Sequence, residues 1–192
     1  MKKVVILGAG GGIARLVTAM LAKKKEISLT LFVHNGSKFK GHTMPNAQVI
    51  EGDVLNYPQL EEVIKGQDIV YANLAGDLEQ MAENIVKAMK AAGVKRLIFI
   101  CSIGIYNVPL RPVLKPYRKA ADIIEASGLD YTIIRPTWFT ETDEIDYELT
   151  QKGKPELGSE ISRKSLAAFI TELIETPTKH IHENLGIDKP GS

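Results

Sequence analysis

The feature that most constrains this chain is a glycine-rich turn between a short apolar strand and a helix. The run Val4-Val5-Ile6-Leu7 leads into Gly8-Ala9-Gly10-Gly11-Gly12, and an apolar-periodic segment follows over residues 15–22. Glycine lets the backbone turn sharply and approach a ligand closely, because no Cβ stands in the way. The first turn of the following helix offers unpaired N–H groups and a partial positive charge. This segment therefore predicts a binding site for a pyrophosphate.

The spacing of the small residues in this turn is Gly-x-x-Gly-x-x-Ala, formed by Gly8, Gly11 and Ala14. It differs from the strict Gly-x-Gly-x-x-Gly dinucleotide fingerprint, whose last glycine would fall on Ile13. A small residue at position 14 still allows close packing of the helix on the strand. The alternative is a strand-to-helix turn that binds nothing, and it is disfavoured because three adjacent glycines contribute little to packing.

Length, charge and cysteine content exclude several classes of protein. At 192 residues the chain suits one domain, or one domain with a small appendage. A net charge of +1 gives no field that would recruit nucleic acid or an anionic membrane. The lone Cys101 excludes an internal disulfide and a cysteine-rich metal site. The chain opens on a strand rather than a signal peptide, and no apolar run approaches the roughly 20 residues of a membrane span. We therefore expect a cytoplasmic protein.

Strand and helix patterns alternate along the chain, which predicts an α/β fold with a parallel sheet and helices on both faces. Strands are expected at 3–7, 28–33, 48–51, 68–72, 97–101 and 131–135, and helices at 12–22, 57–64, 78–92, 116–127 and 162–175. Residues 140–160 form the one long segment without a regular pattern. It follows the sixth strand, so it is interpreted either as a lid over the ligand cleft or as a surface loop.

The residues after the second strand suggest which dinucleotide binds. An acidic residue here would accept hydrogen bonds from an adenosine ribose 2′-hydroxyl, whereas a 2′-phosphate needs donors and positive charge. The segment contains no carboxylate. Its possible donors are His34, Asn35, Ser37 and Lys38. This composition favours NADP as the cofactor and leaves NAD as the alternative.

Later strand ends carry further candidates. Asp53 suits the exocyclic amine of adenine and Val54 an apolar contact with the ring, although Asp53 alternatively caps a turn. Ala75 lies in a segment of small side chains that a cofactor could pass. Ser102 is positioned to bond a substrate or the nicotinamide; otherwise it is an ordinary serine at a strand end. Pro136 closes the sixth strand.

Other catalytic chemistries find little support in the sequence. The histidines, His34, His42, His180 and His182, are scattered or near the end of the chain, and no third ligand accompanies the last two. No metal site is therefore expected. A serine hydrolase is also unsupported, because the chain has no Gly-x-Ser-x-Gly elbow.

Together these segments resemble the atypical short-chain dehydrogenase/reductase superfamily, and within it the NmrA-like and biliverdin/flavin reductase-like NAD(P)-binding proteins. The most specific match is Ser127-Gly128-Leu129-Asp130-Tyr131-Thr132, which runs on to Arg135-Pro136. The glycine turn, Gly52-Asp53-Val54, Ile161-Ser162-Arg163 and the segments 66–70 and 94–102 complete the match, in the family order over nearly the whole chain.

The resemblance implies a Rossmann-type fold with three layers and a substrate region near Ser102 and residues 136–138. It implies that the dinucleotide contacts Gly8, Gly11, Ile13, His34, Asp53 and Val54. With the positions argued from the residues themselves, the expected cofactor-binding set is Gly8, Gly11, Gly12, Ile13, His34, Asn35, Lys38, Asp53, Val54, Ala75, Ser102 and Pro136. We expect residues 1–192 to form a single NAD(P)-binding domain whose C-terminal region, from about 137 to 192, lies on the substrate side.

The sequence departs from the superfamily at its proton-transfer residues. Catalytic members use a Tyr-x-x-x-Lys pair, in which the lysine lowers the pKa of the tyrosine. Here Tyr117 is followed four residues later by Ala121, and Tyr106 and Tyr131 also lack that lysine. Possible proton donors are Ser102, Tyr106 and Tyr117. Ser102 and Tyr106 rank first as catalytic residues, since they follow the same strand.

Three functions remain open. The leading hypothesis is an NAD(P)H-dependent oxidoreductase that reduces a flavin, quinone or similar small molecule, stacked near Trp138 or Phe139; Trp138 is alternatively a core aromatic. The second is a non-catalytic NAD(P)-binding redox sensor of the NmrA-like type that docks a protein partner, which the missing lysine favours. A nucleotide-sugar epimerase is less favoured, because the C-terminal part is short and that chemistry also needs the tyrosine–lysine pair.

Overall fold

A central sheet carries the candidate site. The computed structural model describes residues 1–39 and 44–192, and for Lys38 the backbone alone. The strands are β1 Lys2–Leu7, β2 Ile27–Val33, β3 Ala47–Glu51, β4 Ile69–Ala72, β5 Arg96–Ile100, β6 Asp130–Pro136, β7 Trp138–Thr140, β8 Glu148–Gln151, β9 Glu160–Ser162 and β10 Glu183–Asp188.

Eight of these strands form one sheet in the order β3-β2-β1-β4-β5-β6-β10-β8. Neighbouring strands are parallel except for β8, which runs antiparallel to β10 at one edge. The chain moves outward from β1 to β3 and then returns to β4 on the other side of β1. Such a reversal opens a crevice beyond the carboxyl ends of β1 and β4, and sheets of this kind bind ligands at that point.

Helices cover both faces of the sheet, as predicted. They are α1 Gly12–Leu21, α2 Tyr57–Ile64, α3 Leu78–Ala92, α4 Lys115–Glu125 and α5 Arg163–Glu175. On one face α1 and α5 pack with Val4 and Ile6, and on the other α2, α3 and α4 pack with Val5 and Leu7. Alternate side chains of β1 are therefore buried in opposite cores, which explains why the strand is apolar throughout. The predicted three-layer α/β architecture is confirmed.

Local sequence signals define several helix ends. Asn56 and Asp77 accept hydrogen bonds from backbone N–H groups in the first turns of α2 and α3. Gly93 ends α3 in the left-handed conformation, with φ at +71°. Ser162 caps α5 by accepting from the N–H of Ser165. This last cap starts α5 immediately after β9 and so determines where Arg163 stands.

The C-terminal part of the chain is more regular than the sequence predicts. Residues 140–160 were expected to be irregular, yet they contain β8 and the start of β9. No element was predicted after residue 175, where β10 inserts between β6 and β8. The sequence of β10, Glu-Asn-Leu-Gly-Ile-Asp, has few good strand formers, so burial and pairing on both sides override its weak local preference. Within residues 1–39 and 44–192, no helix has the length and apolar character to cross a bilayer.

Candidate functional site

The glycine turn between β1 and α1 is shaped by close contact with the residue that follows β4. Gly8 has a φ of +77°, and a Cβ there would overlap the carbonyl oxygen of Asn73. A Cβ on Gly11 would lie 2.6 Å from the side-chain nitrogen of Asn73. Position 8 therefore requires glycine, because its left-handed backbone meets the backbone of the neighbouring strand end. At Gly11 only the end of the Asn73 side chain would have to shift.

The start of α1 leaves hydrogen-bond donors available to an anion. Gly11 is the N-cap and has no side chain to cap the helix, and the first turn contains no acidic residue. The first helical bond of this turn runs from the N–H of Arg15 to the carbonyl of Gly11. Among the residues that the structure describes, no acceptor meets the N–H groups of Gly12, Ile13 and Ala14. The turn thus fits a diphosphate, both in the space that it leaves and in the donors that it presents.

Two residues expected at the adenosine end of the site lie next to each other. His34 follows β2, and its Nε2 lies 3.6 Å from Oδ1 of Asp53, which follows β3. Asp53 also accepts from the N–H of Leu55, so it caps a turn, as one of its two interpretations expects. The adjacent Val54 is buried.

The turn after β2 is contacted by a carboxylate from another strand, which the local sequence does not predict. Oε1 of Glu51, at the end of β3, accepts from the N–H of Gly36 at 2.8 Å. Oδ1 of Asn35 accepts from the N–H of Ser37. Glu51 and Asn35 thus hold the turn through its backbone N–H groups, and the side chains of His34 and Ser37 are exposed beside it. The side chain of Lys38 and all of His42 lie outside the described residues.

A cavity of about 240 Å³ opens at the carboxyl ends of β5 and β6. Its lining brings the expected Ser102 and Pro136 together with Tyr117 and two aromatic residues of β7. The lining residues are Cys101, Ser102, Ile103, Tyr117, Pro136, Thr137, Trp138 and Phe139. Trp138 is 76% exposed, so its ring is accessible from solvent and it is not a core aromatic. A mostly apolar lining with the hydroxyl groups of Ser102, Tyr117 and Thr137 suits a flat, partly polar molecule.

The polar groups of the cavity differ in reactivity. The hydroxyl of Ser102 donates only a 3.2 Å bond to the carbonyl of Ile103, which leaves it able to reorient toward a ligand. Burial raises the pKa of the Cys101 thiol to about 12. This cysteine therefore stays protonated near neutral pH and is not a nucleophile, in agreement with the expectation of a buried thiol.

Tyr106 lies away from this cavity, in a buried polar cluster against β10. Its hydroxyl accepts from the side-chain nitrogen of Asn184 at 2.7 Å and lies 3.4 Å from Glu125. Burial, together with the charge of Glu125, raises the pKa of Tyr106 well above its ordinary value. The chain turns sharply at Gly104, where φ is +79°, and this turn separates Tyr106 from Ser102 although both follow β5.

A buried ion pair between Arg135 and Glu156 connects β6 to the segment before β9. The guanidinium of Arg135 is 1% exposed; its Nε donates to Glu156 at 2.8 Å, and another of its nitrogens donates to the carbonyl of Asn184. The second carboxylate oxygen of Glu156 accepts from the N–H of Gly104. Part of the segment interpreted as a lid or a surface loop is therefore tied to β6 and to the turn beside the cavity.

The sequence does not indicate the structural roles of three residues at the site. Asn73 and Glu51 shape the two turns, and Arg163 lies beside Gly12. Arg163 belongs to the Ile-Ser-Arg motif and Asn73 to the segment of small side chains after the fourth strand, but neither pattern indicates these contacts. The roles of Asn73 and Glu51 depend on how strands distant in sequence align, and no local pattern reports that.

The strand order through β6 and the glycine turn at the crevice define a Rossmann-type dinucleotide-binding protein. The chain belongs to the NAD(P)H-binding family, whose model matches residues 8–177. The resemblance to atypical short-chain dehydrogenases/reductases is thereby confirmed at the level of the family.

Known proteins agree with this assignment. A Rossmann-fold NAD(P)-binding family protein from Shigella flexneri is 54% identical, with a TM-score of 0.93 over all of this chain and 95% of that one. A short-chain dehydrogenase/reductase from Veillonella parvula, solved in complex with NADP, is 26% identical with a TM-score of 0.86, over 99% of this chain and 95% of that one. The uncharacterized sugar epimerase YhfK of Bacillus subtilis is 30% identical over 70% of this chain and 71% of its own. The chain spans about a third to a half of the length of the plant reductases and of the fungal oxidoreductase that it also matches.

Proposed function

We propose that this protein is an NAD(P)H-dependent reductase of a flat, conjugated acceptor of the flavin or quinone class. The cavity beside Ser102 carries the proposal, because it lies at the strand ends next to the crevice that would hold the dinucleotide. The reduced nicotinamide, when bound, supplies the hydride. The protein's contribution is to bind the two molecules face to face and to keep water from the reacting surfaces.

The residues proposed to hold the cofactor divide along the crevice. The turn at Gly8, Gly11, Gly12 and Ile13 would take the diphosphate. His34, Asn35, Lys38, Asp53 and Val54 would take the adenosine end, whereas Ala75, Ser102 and Pro136 would border the nicotinamide. We propose NADP over NAD because residues 34–38, after β2, include possible donors and no carboxylate, and the NADP complex of the Veillonella parvula protein supports this choice. The region from about residue 137 onward would form the substrate side of a single domain.

We propose Ser102 and Tyr117 as the hydroxyl groups that orient the acceptor. Both line the cavity, whereas the hydroxyl of Tyr106 is held by Asn184 and Glu125. No lysine follows Tyr117 at the fourth position, where Ala121 is fully buried. A flavin or quinone suits such a site, because a good hydride acceptor needs less help from a protein acid than a simple ketone does. The catalytic role of Tyr106 remains an alternative that substitution can test.

The buried Ala121 also favours a second candidate function, a dinucleotide sensor without catalysis. Such a protein would bind oxidised and reduced cofactor with different affinities, and the exposed Trp138 would belong to a surface for a protein partner. A sugar epimerase, the activity in the name of YhfK, has less support because that chemistry also needs the missing lysine.

Steady-state turnover with NADPH and NADH, against FMN, riboflavin and soluble quinones, tests the proposal. We expect the wild type to reduce at least one acceptor, and Trp138→Ala to raise its KM roughly tenfold because a stacking surface of the acceptor is lost. Leu157→Ala is a matched control, since Leu157 is 79% exposed and lies outside the cavity. A wild type that binds NADPH but reduces none of the acceptors would overturn the reductase in favour of the sensor.

A further inference from the structure

Arg163 lies at the edge of the glycine turn, although it is distant from the turn in sequence. A Cβ built on Gly12 would lie 3.3 Å from Nη1 of Arg163, the only atom that it would meet within 4 Å among the described residues. Gly12 is the first residue of α1, whose free N–H groups face the crevice. A permanent cation therefore stands next to the donors that are suited to a diphosphate.

Strand pairing determines this position of Arg163. Strands β7 and β9 pair in parallel with Thr140 opposite Ser162, so that the next residues of each, Glu141 and Arg163, emerge side by side. Ser162 caps α5, which directs the chain away at this point. The guanidinium carbon of Arg163 also lies 4.9 Å from the ring centroid of Phe139, which limits the positions that the side chain can take.

In the structure the guanidinium is held by Glu141 and not by a buried partner. Nε of Arg163 donates to Oε1 of Glu141 at 2.6 Å, and the carboxylate of Glu141 is exposed. An exposed ion pair of this kind contributes little free energy and is readily exchanged for another anion. A diphosphate offers more charge and more acceptor atoms than one carboxylate, and a guanidinium binds it through parallel hydrogen bonds.

We propose that Arg163 binds the diphosphate of the cofactor and that Glu141 occupies the same guanidinium until the cofactor displaces it. The inference rests on the proposed dinucleotide site and adds a cation and a competing carboxylate to it. Glu141 weakens cofactor binding in this arrangement, because its contact with Arg163 must break first. The side chain of Glu141 is released at the same step, whereas the segment that carries it stays held by the pair of Lys164 and Asp143.

Calorimetric titration with NADPH tests the exchange. We expect Arg163→Gln to weaken binding roughly tenfold or more, since a charge-assisted contact is lost. Arg163→Lys should lose less affinity, because lysine keeps the positive charge but lacks the planar pair of guanidinium donors. Glu141→Gln should tighten binding by about two- to fivefold, the range of an exposed ion pair. Lys164→Gln is the matched control: Lys164 is adjacent, its side chain is 40% exposed against 35% for Arg163, and it pairs with Asp143 in the same segment.

Two further measurements locate the contact. ADP-ribose 2′-phosphate and adenosine 2′-monophosphate share the adenine and the 2′-phosphate, but only the first carries the diphosphate. Arg163→Gln should weaken competition by the first compound and leave the second unchanged. In the Arg163→Gln background, Glu141→Gln should no longer tighten binding, because the two residues act through one contact.

The outcomes separate this inference from the proposed function. Equal affinities of Arg163→Gln, Lys164→Gln and the wild type for NADPH would overturn the role of Arg163 while leaving the dinucleotide site intact. An equal loss for both competitor compounds would also overturn it, since the arginine would then not act at the diphosphate. A folded wild type that binds neither NADPH nor NADH would overturn the proposed function itself.

Discussion

The carbonyl oxygen of Asn73 lies where a side chain on Gly8 would begin. These residues directly follow β1 and β4, the two strands between which the chain reverses direction across the sheet. The crevice of this protein is therefore formed by backbone packed against backbone, and its width depends on glycine.

Gly8→Ala should lower both stability and cofactor affinity. The left-handed conformation alone costs an L-residue about 1–2 kcal/mol, and the overlap with Asn73 adds to that cost. We expect a loss of unfolding free energy above about 2 kcal/mol and binding of NADPH at least tenfold weaker. Urea unfolding and calorimetric titration measure the two effects.

Gly93→Ala is the matched control for this substitution. Gly93 has a similar φ of +71°, but nothing lies within 4 Å of the position of its Cβ among the described residues. The Gly93→Ala variant should lose about 1 kcal/mol of unfolding free energy and bind NADPH as the wild type does. Equal stability losses in the two variants, with NADPH binding intact in both, would contradict the packing argument for Gly8.

Tyr117→Phe and Ser102→Ala should lower turnover with the preferred acceptor by roughly tenfold or more, since each removes a hydroxyl from the cavity. Tyr106→Phe should leave turnover within about twofold but reduce stability by about 1–2 kcal/mol, because the side-chain nitrogen of Asn184 loses one of its two acceptors. Initial rates and thermal unfolding of the three variants distinguish these roles. A folded Tyr106→Phe variant without turnover, next to an active Tyr117→Phe variant, would instead assign proton transfer to Tyr106.

Lys38→Glu should weaken the binding of NADPH far more than that of NADH, because a carboxylate would repel the 2′-phosphate, which only NADPH carries. We expect roughly a tenfold change in the ratio of the two dissociation constants. Lys25→Glu, an exposed lysine at the other end of β2, controls for the change in net charge. Equal losses for both dinucleotides, or no loss at all, would reject a role of Lys38 in cofactor choice.

The stability of the β8–β10 edge should depend on pH through Asp188. Burial, and then the neighbouring Glu148, raises the pKa of Asp188 above its ordinary value of 3.8. Folding thus disfavours the ionised form, so the contribution of this group is most favourable below pH 3.8 and is lost as the pH rises through the raised pKa. Asp188→Asn should stabilise the protein at pH 7 by about 1 kcal/mol, or about 2–4 °C in Tm.

The advantage of Asp188→Asn should vanish below about pH 4, where the wild-type residue is protonated as well. Asp143→Asn, a change at an exposed carboxylate, should stay within about 0.5 kcal/mol of the wild type at neutral pH. Thermal unfolding across the pH range checks both variants. A destabilised Asp188→Asn at pH 7 would show that the charge of Asp188 is needed in the folded state.

The fold was largely predictable because its determinants are local. The apolar run before Gly8, the glycines themselves and the cap residues at Asp77 and Gly93 act within a few residues of their place in the chain. Alternating strands and helices then leave few topologies open, since parallel strands need a covering connection. The glycine turn between β1 and α1 follows directly from this reasoning.

The substrate side was not predictable in the same way. Strand β10 has weak local preference and forms because β6 and β8 pair with it. The sequence places Ser102 and Tyr106 together, but the turn at Gly104 moves Tyr106 against Asn184, and α4 brings Tyr117 to the cavity instead.

The amino-acid sequence by itself determined the class of fold and the glycine turn between β1 and α1, because short-range sterics and periodicity specify both. Only the tertiary structure decided which hydroxyl groups share the cavity, that Asn73 closes on Gly8, and that Arg163 stands beside Gly12. Those contacts join residues far apart in the chain, so they depend on the register of strands and on how helices pack, which no local pattern encodes.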